Sequence, residues 1–179
     1  VGLDAIAAAV KRVWASLWTP RAVAYRRRLE IAEAGMAVVI MPMLSAVAAG
    51  VAFSCDPVSG RDDRVVINAV AGLADTLVSG QVSGEEIALE SDQLRDLRGI
   101  VHRRGPASGL TDAGAVELAA LIQETAFALD YSAPWYDIEW VWDGKRFYLV
   151  QARPVTARPW HTYPGLIGQT ALWSNGNTR

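Results

Sequence analysis

The sequence has almost no cysteine, no excess of charge of one sign and no long apolar run. Cys55 is the only cysteine among 179 residues, which excludes an internal disulfide and is typical of a reducing compartment, so we expect a cytoplasmic protein. Lysine and arginine number 17 against 19 aspartate and glutamate, and this interspersed balance argues against nucleic acid as a partner. No stretch approaches the roughly 20 apolar residues of a membrane span.

Several enzyme motifs are missing as well. The sequence contains no P-loop, no dinucleotide fingerprint, no internal repeat and no placeable Ser/His/Asp constellation. The two histidines, His102 and His161, lack a second metal-type residue at a fitting spacing. We therefore interpret His102 as an exposed strand residue rather than a metal ligand.

Helical patterns open the chain and return in its last third. Residues 3–17 have apolar side chains at helical spacing, and Thr19 before Pro20 predicts a second helix that runs to about residue 30. Thr111 is placed to cap a third, long helix. The three arginines at 26–28 could grip phosphate, but a solvated helix face is the favoured interpretation.

Strand patterns fill the middle of the chain. Residues 37–43, 50–57, 64–72, 86–90 and 97–103 all have strand-like composition. The first of these runs is almost continuously apolar, which predicts a strand covered on both faces that leaves regular pairing at Pro42. With the helices, these strands predict an α+β fold with a mainly antiparallel sheet and flanking helices.

Two stretches could lie against a ligand through their backbone. Free backbone groups beside Met41 and Met43 could receive a flat heterocycle such as adenine, although ordinary core packing of both methionines is favoured from spacing alone. The glycine-bounded residues 72–80, which carry Asp75, could approach phosphate closely or could be a short punctuated helix.

Residues 137–154, DIEWVWDGKRFYLVQARP, predict the β-hairpin around which the chain is organised. An Asp-Gly pair marks its turn. A two-residue loop would place Glu139 and Gln151 on opposite faces. A three-residue loop pairs Trp142 with Arg146 instead, and we prefer it because it separates polar from aromatic side chains.

In that preferred register the polar face carries Asp137 opposite Gln151, with Glu139 one diagonal away and Arg153 beyond the pair. The other face then carries Ile138, Trp140, Trp142, Tyr148 and Val150. Two carboxylates, an amide oxygen and a guanidinium on one patch suit Mg²⁺ and phosphate. The alternative, favoured from spacing alone, is a solvent-facing hairpin with a surface salt bridge.

The order of SLWTPRAVAYR, AVVIMPM, GVAFSCDP, GLADTLVSG and DIEW…QARP resembles the ATP-binding domain of phosphoenolpyruvate synthases, pyruvate phosphate dikinases and antibiotic phosphotransferases. The resemblance runs from about residue 16 to residue 154. It implies the C-terminal part of an ATP-grasp fold, with ATP and Mg²⁺ as cofactors. We expect residues 155–179 to be a linker towards a phosphohistidine domain, and both ends of the chain to continue in a longer protein.

The resemblance also implies roles for single residues. Glu139 and Gln151 match the family's metal ligands, Arg153 its phosphate-contacting catalytic arginine, and Met41 and Met43 the hinge beside adenine. Asp75 falls where the family often has glutamate, and its side chain is one methylene shorter. Ala74 replaces the glycine before it. Met41 replaces a common glutamine.

The implied function is the MgATP-binding portion of a dikinase that phosphorylates a carrier histidine and then pyruvate. An antibiotic phosphotransferase with the same ATP domain and a truncated, non-catalytic binding module are the alternatives. The resemblance also implies that the preceding subdomain, with its ATP-gripping lysine and arginine, is absent from the sequence.

Overall fold

The computed structural model describes residues 2–74, 77, 82–91 and 97–156. The chain divides into two compact units, Val1–Met43 and Leu44–Arg179. The polar hairpin belongs to the second unit, whereas Met41 and Met43 belong to the first. Within the described residues, no helix is both long and apolar enough to span a bilayer.

The first unit is helical, as the periodicity predicts. Helix α1 spans Leu3–Ala15, a 3-10 turn follows at Ser16–Trp18, and helix α2 spans Pro20–Arg28. The Thr19 hydroxyl accepts a hydrogen bond from the Ala22 amide at 3.4 Å and caps α2. This confirms the predicted helix start.

The predicted strand at residues 37–43 is wrong. These residues have no regular secondary structure, and Val39 and Ile40 are 77% and 64% exposed. An apolar run becomes a strand only when a neighbouring strand accepts its backbone hydrogen bonds, and Pro42 removes one of the donors. Composition alone cannot supply that partner.

The second unit is a six-stranded sheet with one long helix. In chain order its elements are β1 (Ala48–Phe53), β2 (Arg64–Ala71), β3 (Glu85–Ser91), β4 (Leu97–Arg104), α3 (Asp112–Leu129), β5 (Tyr136–Trp142) and β6 (Phe147–Pro154). The strand order is β4-β3-β2-β1-β5-β6, and every neighbouring pair is antiparallel. The α+β fold with a mainly antiparallel sheet is confirmed.

One face of the sheet forms the core with α3. Leu118 and Ile122 of the helix are fully buried, as are Ile67 and Ile138 of the sheet, and Trp140 is 1% exposed. Full burial of each such side chain contributes roughly 1.5–3 kcal/mol of transfer free energy. This apolar face fixes the register, because a slip of one residue would turn it to solvent.

The opposite face of the sheet, called the open face from here on because α3 packs on the other one, carries the alternate residues. Several of them are buried, among them Ala49, Val66, Ala88 and Val141, whereas Val51 and Asn68 are partly exposed. Its central position is Val51 of β1, which pairs with Glu139 of β5 on one side and Asn68 of β2 on the other. Paired residues point to the same face. The polar hairpin residues therefore continue a row of side chains that crosses the sheet.

Candidate functional site

The loop of the β5–β6 hairpin is held by Asp143. Its Oδ1 accepts hydrogen bonds from the amides of Lys145 and Arg146 at 2.8 and 2.9 Å. These backbone donors, with a further bond from the Tyr148 hydroxyl, hold the pKa of Asp143 below its ordinary value. Gly144 has φ +94°, the left-handed conformation that the Asp-Gly signal predicts.

The hairpin register differs from the predicted one. Trp142 pairs with Phe147 rather than Arg146, so the loop contains four residues, and a bulge lies between the Glu139 and Trp140 pairings. Beyond the bulge, Glu139 lies directly opposite Gln151. The predicted pairing of Asp137 with Gln151 is therefore wrong, because a bulge adds a residue to one strand that alternation alone does not reveal.

The partition of aromatic residues is only partly as predicted. Trp140 and Trp142 lie on the core side, and Phe147 and Leu149 pack there with them. Tyr148 instead pairs with Val141 on the open face, contrary to the predicted arrangement. The one-residue change at the loop exchanges the faces of Tyr148 and its two neighbours.

Arg153 is the centre of the polar patch. Asp137 lies opposite it, and the guanidinium binds that carboxylate through Nε at 3.3 Å and Nη2 at 3.0 Å. The same Nη2 is 3.9 Å from Oε1 of Glu139. The two carboxylate side chains are 21% and 24% exposed, against 53% for the guanidinium. One cation thus faces two half-buried carboxylates, which leaves the patch with net negative charge.

The patch fits a hard divalent cation that brings further ligands with it. Gln151 and Glu139 lie side by side, and within the described residues neither side chain has a hydrogen-bond partner. Carboxylate and amide oxygens are ligands that Mg²⁺ accepts. No group of three or more His, Cys, Asp or Glu side chains suited to a metal occurs in the described part. Phosphate oxygens and water would have to complete the shell.

The other predicted binding residues are not tested by this geometry. Met41 and Met43 are 54% and 85% exposed, which does not fit core packing. In the described part of the chain their backbone groups form no backbone hydrogen bond. Their contact with adenine stays a prediction. Asp75 lies outside the described residues.

Sequence reasoning assigned the wrong partner to Asp137. The ion pair between Asp137 and Arg153 depends on the bulge and on the four-residue loop. Asp143, whose side chain can accept hydrogen bonds from loop amides, is the sequence feature that could have indicated a longer loop. His102 lies in a strand, as predicted, and its side chain is 40% exposed. Its Nε2 is 2.9 Å from Oε1 of Glu86, and Nη2 of Arg104 is 2.8 Å from the same oxygen. This second polar cluster lies towards the far edge of the open face, on β3 and β4.

Comparison with protein families finds one matching family model. It describes the AMP/ATP-binding domain of pyruvate phosphate dikinase and matches residues 1–108 of this chain. The match takes in β1 to β4 and ends before the hairpin.

Similar curated proteins extend the comparison over the hairpin. The chain is 34% identical to the prodigiosin synthesizing transferase PigC of Serratia marcescens over 99% of its own length and 23% of that protein. It is 36% identical to a rifampicin phosphotransferase of Streptomyces sp (87% and 20%) and 29% identical to the phosphoenolpyruvate synthase of Pyrococcus furiosus (87% and 22%). The chain spans about a fifth of the length of these relatives.

Proposed function

Because the chain belongs to the AMP/ATP-binding domain family of pyruvate phosphate dikinase, we propose that its open face binds MgATP as the nucleotide-binding portion of an ATP-dependent dikinase. The full reaction would pass a phosphoryl group from ATP to a carrier histidine and then to pyruvate. The acceptor and the carrier histidine would come from parts of a longer protein.

In this proposal the hairpin holds the phosphate end of the nucleotide. Glu139 and Gln151 supply oxygens to Mg²⁺, which neutralises charge on the phosphate oxygens when it is bound. Arg153 donates its remaining N–H groups to the same phosphates. Asp137, bound to Nε and Nη2, fixes the plane of that guanidinium. Catalysis here is positioning and charge neutralisation.

The observation that carries the proposal is the pairing of Glu139 with Gln151 beside the Arg153 guanidinium. The bulge brings together three residues that the family resemblance independently matches to metal and phosphate contacts. A merely structural surface pair would need only Asp137 and Arg153. Glu139 contacts the guanidinium only at 3.9 Å, and Gln151 makes no hydrogen bond within the described residues, so the oxygens of both remain accessible to a ligand.

Calorimetric titration of MgATP into the 179-residue chain tests the proposal, with Glu139→Gln as the variant. We expect metal-dependent binding that weakens by roughly 10- to 100-fold in the variant, since even outer contacts of a metal site affect affinity by that much. Omission of Mg²⁺ should weaken binding by the wild-type chain in the same way.

Glu124→Gln is the matched control, because Glu124 lies on the exposed side of α3 and the change removes the same charge. Its affinity should equal that of the wild type. The proposal fails if a folded wild-type chain does not bind MgATP, or if the two variants bind it equally well.

A second candidate function uses the same nucleotide site with another acceptor. The chain is similar to relatives of both kinds: it is 36% identical to a rifampicin phosphotransferase and 29% to the phosphoenolpyruvate synthase of Pyrococcus furiosus, and 37% identical over 59% of its length to that of Aeropyrum pernix. If the chain is the ATP-binding part of a longer protein, assays of that protein with pyruvate and with rifampicin separate the two functions. A non-catalytic binding module would bind nucleotide and transfer phosphate to neither.

A further inference from the structure

Asn68 occupies an unusual place on the open face. It lies in β2, whose neighbours β1 and β3 both pair with it, so its strand is internal to the sheet. Its same-face neighbours along the strand are Val66 and Val70, and Val51 lies beside it on β1. Asparagine is depleted in strands, whereas valine is among the residues most favoured there. A fourth valine would suit the local structure better.

Asn68 is half-buried, and in the described part of the chain its amide has no hydrogen-bond partner. Its neighbour on β3, Glu86, directs Oε1 to His102 at 2.9 Å and to Arg104 at 2.8 Å instead. A partly desolvated amide costs free energy unless something bonds to it. The described residues therefore supply no partner for this amide, which leaves its hydrogen bonds to solvent or to a ligand.

The position of Asn68 relative to the hairpin suggests the missing partner. Asn68, Val51 and Glu139 form one row across three adjacent strands, and Gln151 continues it. Neighbouring strands are about 4.8 Å apart, so the Cα atoms of Asn68 and Glu139 are about 10 Å apart. Val51 has no hydrogen-bonding side chain. An extended ligand held at Glu139 would pass over Val51 before it meets the next polar group.

We propose that Asn68 is a further nucleotide-binding residue, which hydrogen-bonds the nucleoside part of the ATP whose phosphates lie at Glu139, Gln151 and Arg153. This inference rests on the proposed function. The amide offers both a donor and an acceptor, as ribose hydroxyls and base edges require. Val51 between the two polar groups supplies apolar contact, the usual lining of a small-molecule site.

Asn68→Val tests the proposal because it separates stability from binding. We expect the melting temperature of the variant to be unchanged or to rise by roughly 2–4 °C, since valine suits this strand. Its affinity for MgATP should fall by about 5- to 10-fold, the effect of one lost hydrogen bond. Its affinity for magnesium tripolyphosphate, which has no nucleoside, should stay that of the wild type.

Three results would overturn the inference. The first is a lower melting temperature in both Asn68→Val and Asn68→Ala, which would make the amide structural. The second is an affinity of Asn68→Val for MgATP equal to that of the wild type. The third is an equal loss of affinity for MgATP and for magnesium tripolyphosphate in Asn68→Val. The Glu139→Gln variant distinguishes failure of this inference from failure of the proposed function. If that variant loses both ligands while Asn68→Val binds both normally, the hairpin site stands and only the role of Asn68 is wrong.

Discussion

At the scale of single residues, Glu85 is a nearly buried carboxylate that accepts several hydrogen bonds on the core side of the sheet. Its side chain is 6% exposed and binds Arg103 through Nε at 2.6 Å. The amide and hydroxyl of Ser108 donate to its other oxygen at 2.9 and 2.6 Å. These donors, Arg103 above all, lower the pKa of Glu85 from 4.5 to about 2. The carboxylate thus ties β3 and β4 to the segment before α3.

This lowered pKa predicts a pH-dependent loss of stability. The stabilisation is complete above pH 4.5, where the unfolded-state carboxyl is already ionised, and it is lost as pH falls towards 2. The shift corresponds to about 3 kcal/mol. We expect Glu85→Gln to lower the free energy of unfolding by about that much at pH 7 and by clearly less at pH 3, as measured by urea denaturation.

The exposed Glu124→Gln provides the comparison, and its difference from wild type should be small at both pH values. A Glu85→Gln difference that stayed constant between pH 7 and pH 3 would contradict the assignment of the stabilising charge to Glu85.

Single residues also show how far the sequence could be read. The common face of Glu139, Gln151 and Arg153 was recognisable because strand alternation and family resemblance led to the same arrangement. Their roles as metal and phosphate ligands stay predictions. The pairing of Arg153 with Asp137 could not be predicted, because it depends on a β-bulge. Tertiary packing, rather than the local sequence, decides whether such a bulge forms. The position of Asn68 among valines was visible in the sequence. That its amide has no hydrogen-bond partner among the described residues appears only when β1 and β3 lie beside it.

At the scale of elements, the N-cap of α3 predicts a stability change that does not depend on the ligand site. The Thr111 hydroxyl accepts a hydrogen bond from the Gly114 amide at 3.0 Å. Thr111→Ala should lower the free energy of unfolding by about 1 kcal/mol, because the first turn of the helix loses an acceptor for its free amides. Urea denaturation measures the change.

Thr111→Ser keeps the hydroxyl, so its stability should stay within a few tenths of a kcal/mol of the wild type. Equal destabilisation in the alanine and serine variants would show that the methyl group, not the cap, is responsible.

The elements that were predictable from the sequence are those whose pattern reports burial directly. The strands β1 to β4 alternate or run apolar between clear turn signals, and α3 has a broad apolar stripe. Residues 37–43 look equally apolar but form no strand. A helix satisfies its own backbone hydrogen bonds, whereas a strand depends on a partner strand that is often distant in sequence. That dependence also explains the error in the hairpin register.

At the scale of the whole molecule, the two compact units differ in what holds them together. In the described part of the chain, all six strands, α3 and the residues of the core cluster lie after residue 43. Neither α1 nor α2 contains a buried residue. We therefore expect residues 44–179 alone to unfold cooperatively in urea, with the circular dichroism of a β-rich domain.

A peptide of residues 1–43 should have little helix in water, because helices of this length are marginal without packing. A chain of residues 44–179 that shows no cooperative transition would contradict this division of stability.

The ladder between β1 and β5 has a kinetic consequence. Every other pair in the sheet joins strands that follow each other in the chain, whereas Ala48 pairs with Trp142 from beyond three strands and α3. Local hairpins close quickly, and a pairing between distant residues must first overcome the entropy of a long loop. Asn68 belongs to the β1–β4 block, and Glu139 and Gln151 to the β5–β6 block. We therefore expect the β1–β5 pairing to form last and to complete the row across Val51. A chain arrested before that step would have both halves of the surface without their alignment.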